Sequence, residues 1–166
     1  MVAKQYSFDQ ILIMKGLLIV LLLCIVSGGF SQTEGVRKKQ FNLEDGVAIK
    51  GYDPVAYFTA GKAEKGKPAF SLSYHGVNYH FANVADQNSF QANPEKFEPQ
   101  YGGWCAYAMG HDGSKVEVDP ETFKIINGKL FLFYNRFFNN TLKAWNQDES
   151  KLHVQADANW QKILKQ

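Results

Sequence analysis

Cysteine is scarce in this chain. Two residues in 166 cannot form a disulfide framework. No Cys-x-x-Cys is present, so dithiol exchange within one chain is excluded. Charge of one sign is also missing. The formal net charge is +2, too small for a nucleic-acid binder that relies on a basic field. There are no internal repeats and no low-complexity tract. Gly110-His-Asp-Gly113 has neither a Lys nor the spacing of a phosphate-binding loop. Aromatics, by contrast, are plentiful, with 13 Phe, 8 Tyr and 3 Trp. That composition belongs to one globular domain rather than a disordered chain.

A long apolar run is absent too. The uncharged stretch 16–26, after Lys15, is shorter than the ~20 residues a spanning helix needs, and suits the core of a signal peptide. Small residues follow, with Gly29 and Ser31 two apart, so cleavage is expected after Ser31. Residues 1–31 are thus read as a signal peptide, which makes the protein exported, in a periplasmic setting, with no membrane span once the leader is gone. Cys24 leaves with it, and Cys105 becomes the only thiol. Residues 32–40 are polar, with Arg37-Lys38-Lys39, and read as a linker to a domain over 41–166.

Within that domain, Gly51-Tyr52-Asp53-Pro54 is turn chemistry. Phe70, Leu72 and Tyr74 alternate with polar residues. His75-Gly76 turns the chain, and Val77, Tyr79 and Phe81 alternate again, predicting a hairpin with one apolar face. A helix capped by Asn83 is expected to cover it, turning Ala85, Phe90 and Phe97 to the core. Gly110 to Gly113 reads as a loop. Asn127-Gly128 predicts a second hairpin between 123–126 and 130–134. Two helices are expected to close the chain, one with Phe138, Leu142 and Trp145 on a face, the other with Ala156, Trp160 and Ile163. These elements make a small α+β fold: antiparallel hairpins covered by short helices, with two helices at the C-terminus.

Several separated motifs then stand in a familiar order. Gly51-Tyr-Asp-Pro-Val-Ala-Tyr-Phe58, Tyr79-His-Phe81, Phe90-Gln-Ala-Asn-Pro-Glu-Lys-Phe97 and Tyr101-Gly-Gly-Trp-Cys-Ala-Tyr107 resemble the exported YHS-domain proteins. The resemblance runs from about Phe41 to the C-terminus. It implies a small α+β domain and, from the wider family, binding of a metal, often copper. The copper-transporting type carries cysteines where this chain has Ala56, Ala82 and Asp86, so that ligand set does not transfer.

The residues themselves offer three chemistries. Cys105, Met109 and His111, with His80 from the hairpin, supply thiolate, thioether and imidazole, the donors a soft ion such as copper prefers. Their plain counterpart is a buried thiol, a core methionine and surface histidines. Second, Tyr52, Tyr101 and Trp104, with Tyr57, Tyr79 and Tyr107, suit the wall of a pocket for a small organic ligand, or simply a core. Asp53 there orients a ligand group from behind, or caps a turn. Third, Cys105 after the Gly102-Gly103 turn has the makings of a nucleophile with His80 or His111 as base. The expectation is a binding module for a metal ion or small molecule rather than a catalyst.

Overall fold

A computed structural model describes residues 34–166. The signal-peptide reading of 1–31, and the export that follows from it, lie outside the described residues. The first element is α1 (34–40), a helix where a linker was expected. Its stability is not local. Arg37 reaches across to Glu98 and donates to the carbonyl of His75, and the end of the helix leads straight into Phe41.

Next come β1 (Leu43–Glu44) and β2 (Val47–Ala48), then α2 (Ala56–Thr59), β3 (Lys67–Tyr74) and β4 (Val77–Phe81). The four strands form one sheet in the order β1-β2-β4-β3, in which β2 and β4 are parallel and the other pairs antiparallel. The hairpin lies where the alternation placed it, with Tyr74 opposite Val77. Val77, Tyr79 and Phe81 are buried, whereas Asn78 and His80 face the other way. α3 (Val84–Ala92) covers the apolar face. Asn83 caps it by accepting from the Asp86 N–H at 2.9 Å. Phe90 packs on Tyr79 and Phe81 at 4.7 and 5.3 Å between ring centres. Ala85, expected in the core, is exposed, because one fully buried ring, Phe90, carries this short helix.

After α4 (Pro94–Phe97) comes α5 (Ala106–His111), so the helix runs through the loop expected at Gly110. The reason is a close crossing with α7 (Glu149–Ile163). A Cβ on Gly110 would stand 2.5 Å from the carbonyl oxygen of Leu152. β5 (Asp119–Ile126) and β6 (Lys129–Phe133) form the second hairpin around Asn127-Gly128. β6 is buried on both sides. Leu130 and Leu132 join the cluster beneath the first sheet, with Tyr79, Phe81, Phe90 and Cys105. Phe131 and Phe133 join a second cluster with Tyr101, Met109, Trp145 and Ala156. Strict alternation along one strand thus walls two cores at once.

A two-stranded ribbon follows, β7 (Asn135–Arg136) and β8 (Asn139–Asn140), then α6 (Thr141–Trp145) and α7. Phe138 does not share a helical face with Leu142 and Trp145, because it sits in the turn of this ribbon, fully exposed. Ala156 is buried and Trp160 and Ile163 half-buried along α7, as the spacing predicted. The fold is α+β with two C-terminal helices, and no helix among the described residues is long and apolar enough to cross a membrane.

Candidate ligand-binding cleft

The sequence Pro99 to Cys105 makes an abrupt change of direction. Tyr101, Gly102 and Gly103 all have positive φ, at 55°, 60° and 84°. The Gly102 carbonyl accepts from the Asn42 N–H at 2.9 Å, and Asn42 Nδ2 donates to the Gly103 carbonyl at 3.1 Å. A Cβ on Gly102 would lie 2.8 Å from both the Phe41 and Trp160 rings. Only glycine lets these two rings close over the backbone, and they meet at 5.9 Å.

Around this point opens a cleft of about 710 Å³, within the size range of small-molecule sites. α1 supplies one wall, the segment 95–102 the floor, and the last turns of α7 the other wall. Phe41, Tyr101 and Trp160 give it aromatic surface; Arg37, Glu95, Glu98 and Asp157 give it charge. The charges are not all free to engage a ligand. Arg37 forms a two-pronged pair with Glu98, lies 4.4 Å over the Phe41 ring, and is largely buried. Glu98 also accepts from the Tyr79 hydroxyl. Tyr101, almost wholly buried, donates its hydroxyl to Asp157 Oδ1 at 2.9 Å. Burial, and then the neighbouring carboxylate in each case, hold the Tyr79 and Tyr101 phenols well above their usual range, so both remain donors at physiological pH.

Of the aromatic and acidic residues singled out from the sequence, Tyr101 lines this cleft. Tyr52 does not. Its ring lies under the Lys65 ammonium at 4.5 Å and its hydroxyl donates to Glu121 at 3.4 Å. Trp104 is tied elsewhere, donating Nε1–H to the Gln40 carbonyl at 2.6 Å. Asp53 is sealed. Its oxygens accept from the N–H groups of Val55 and Ala82 at 2.8 Å and of Ala56 at 3.3 Å, so it caps the turn and fastens it to the end of β4. Burial pushes its carboxyl up to about 6 even though these three bonds pull the other way.

No family model matches this chain, and no curated protein or solved structure matches it. The cleft therefore rests on its own geometry.

The four soft donors are dispersed. Cys105 is fully buried and turns into the first core, whereas Met109 is fully buried in the second. His111 points outward, stacked on Tyr107 at 5.5 Å and 3.6 Å from Asp112 Oδ2. His80 sits on the outer face of β4 beside Gly51 and Gly66. Among the described residues no group of three or more His, Cys, Asp or Glu is placed to hold a metal ion. Cys105 and His111 do border one shallow hollow of about 300 Å³ with Tyr134 and Thr141. The thiol, however, is already engaged. The Tyr134 N–H donates to Sγ at 3.4 Å. The Thr141 hydroxyl spends its proton on the Tyr134 carbonyl at 2.9 Å, which leaves the S–H to donate to Thr141 Oγ1 at 3.3 Å. A neutral thiol satisfies this arrangement completely.

Sequence reasoning passed over Phe41, Trp160 and Arg37 as cleft residues. In the sequence Phe41 marks the start of the fold, Trp160 one helix face, and Arg37 part of the polar linker 32–40. Trp160 is visible as the largest side chain on the helix face it shares with Ala156 and Ile163, but nothing in the chain pairs it with position 41.

Proposed function

We propose that this domain is an exported, YHS-like binding module that takes a small organic ligand with a flat apolar body. The ligand lies in the cleft between α1, Tyr101 and α7. One observation carries the reading. A ring pair, Phe41 and Trp160, is held over Gly102, where any other residue would collide, beside hydrogen-bonded polar groups that need no ligand to stay in place. Such a wall is preorganised, so binding does not have to order it. Large aromatic faces supply contact area, and the rim carboxylates Glu95 and Asp157 supply direction. The dispersed thiol, thioether and imidazoles favour this reading over a soft-metal site.

The test is native mass spectrometry of the protein isolated from its own host, followed by ligand-observed NMR against a set of planar aromatic fragments. Trp160→Ala should lose the bound mass or weaken fragment binding at least about ten-fold, because it deletes one face of the pocket. Tyr52→Phe, outside the cleft, should change nothing. Binding that survives Trp160→Ala intact would move the site away from the cleft, and a protein that retains no mass and binds no fragment would remove the reading.

A further inference from the structure

Four tight turns in this molecule share one geometry. Asp45-Gly46, His75-Gly76, Asn127-Gly128 and Phe137-Phe138 each join two antiparallel strands, and in each both residues have positive φ. Three of them obey the chemistry of that turn, with glycine second. The fourth places two phenylalanines there, at φ 52° and 64°. Local folding does not choose Phe at either position. Nor does packing. Phe137 is 89 % and Phe138 111 % exposed, the most exposed large apolar side chains among the described residues. The two residues are neighbours in the chain and form the tip of a ribbon with two residues per strand, so both project from the body of the fold. A protein partner would need a matching hollow for such a point. A bilayer needs none.

The charge carried by this stretch of chain has one sign. Residues 135–144 contain Arg136 and Lys143, both exposed, and no carboxylate. Glu117, the acid that feels Arg136, is already paired with Lys50 at 3.0 Å.

We propose that the Phe137-Phe138 turn is a membrane-contacting tip that inserts its two rings into the interfacial region of a bilayer rich in anionic lipid, with Arg136 at the headgroups. The apolar rings enter the acyl boundary and the cation stays at the phosphate level. The inference is independent of the cleft.

The experiment places 4-fluorophenylalanine at 138 in the full chain, or at the buried Phe97 as an internal control. The ¹⁹F signal is then read with phosphatidylglycerol-containing vesicles whose acyl chains carry a nitroxide. The 138 signal should broaden several-fold more than the 97 signal, less so with pure phosphatidylcholine, and less again in Arg136→Gln. The control separates insertion of the tip from mere attachment of the chain to the vesicle. Equal broadening at 138 and 97 would overturn the proposal. So would a 138 signal that stays sharp with both vesicles, which would assign the tip to a protein partner. Broadening indifferent to lipid charge would overturn the role given to Arg136.

Discussion

Asp53 shows how a carboxylate becomes part of a fold rather than of a site. All three backbone N–H groups that its oxygens accept belong to the frame of the molecule: Val55 and Ala56 at the start of α2, and Ala82 beyond β4. Asp53→Ala leaves these donors buried and unpaired and should cost at least about 2 kcal/mol, measured by urea denaturation. The pH dependence has a definite sign. The folded-state value of about 6 lies above the ordinary one, so the folded chain holds this proton more tightly than the unfolded chain does. The stability it lends is present below about pH 4 and is lost as pH rises through 6. Asp53→Asn should flatten that decline in the urea midpoint between pH 4.5 and 7. Asp53 was legible as a turn residue because Pro54 follows it. Its third bond, to Ala82, was not, because nothing local links positions 29 apart.

At the scale of elements, what was legible is what local chemistry alone decides. The β3–β4 hairpin declares itself through alternation on one face, and the β5–β6 hairpin through Asn127-Gly128. α1 does not, since a polar segment becomes a helix here by virtue of a partner 61 residues away. Phe138 had helical spacing to Leu142 and Trp145, yet the ribbon turn took it. The cluster Cys105, Met109, His111 looked compact in sequence, but Cys105, just before α5, turns into one core, while the helix carries Met109 into the other core and His111 to solvent. Two substitutions test these elements. Phe138→Gly should stabilise the ribbon by about 0.5–1 kcal/mol, as a rise in thermal midpoint, because it removes left-handed strain at the position where the other three turns have glycine. Gly110→Ala should destabilise by about 1–3 kcal/mol, because the new methyl meets the backbone of Leu152 rather than a yielding side chain.

At the scale of the whole molecule, the clamp Arg37–Glu98–Tyr79 fastens the N-terminal helix to the body. The ion pair is largely shielded from water, so added salt should weaken it little. Arg37→Ala leaves the largely buried Glu98 carboxylate without its counter-charge, with the Tyr79 hydroxyl still donating to it. It should cost about 3–5 kcal/mol and raise hydrogen exchange across 34–40 well above that of α3. The same change opens one wall of the cleft, so ligand affinity should fall with it. The cleft as a whole was the least legible feature. Its rings come from positions 41, 101 and 160, and only the closed chain brings them together.

β6 has a consequence for how the molecule fails. Since Leu130 and Leu132 serve one side and Phe131 and Phe133 the other, neither half owns the strand between them. A protease cut that frees α7 bares the Phe131 and Phe133 face, and the loss is transmitted straight to the sheet beyond. The protein has no half-built refuge to retreat to. Heated in a calorimeter, it should melt under one peak.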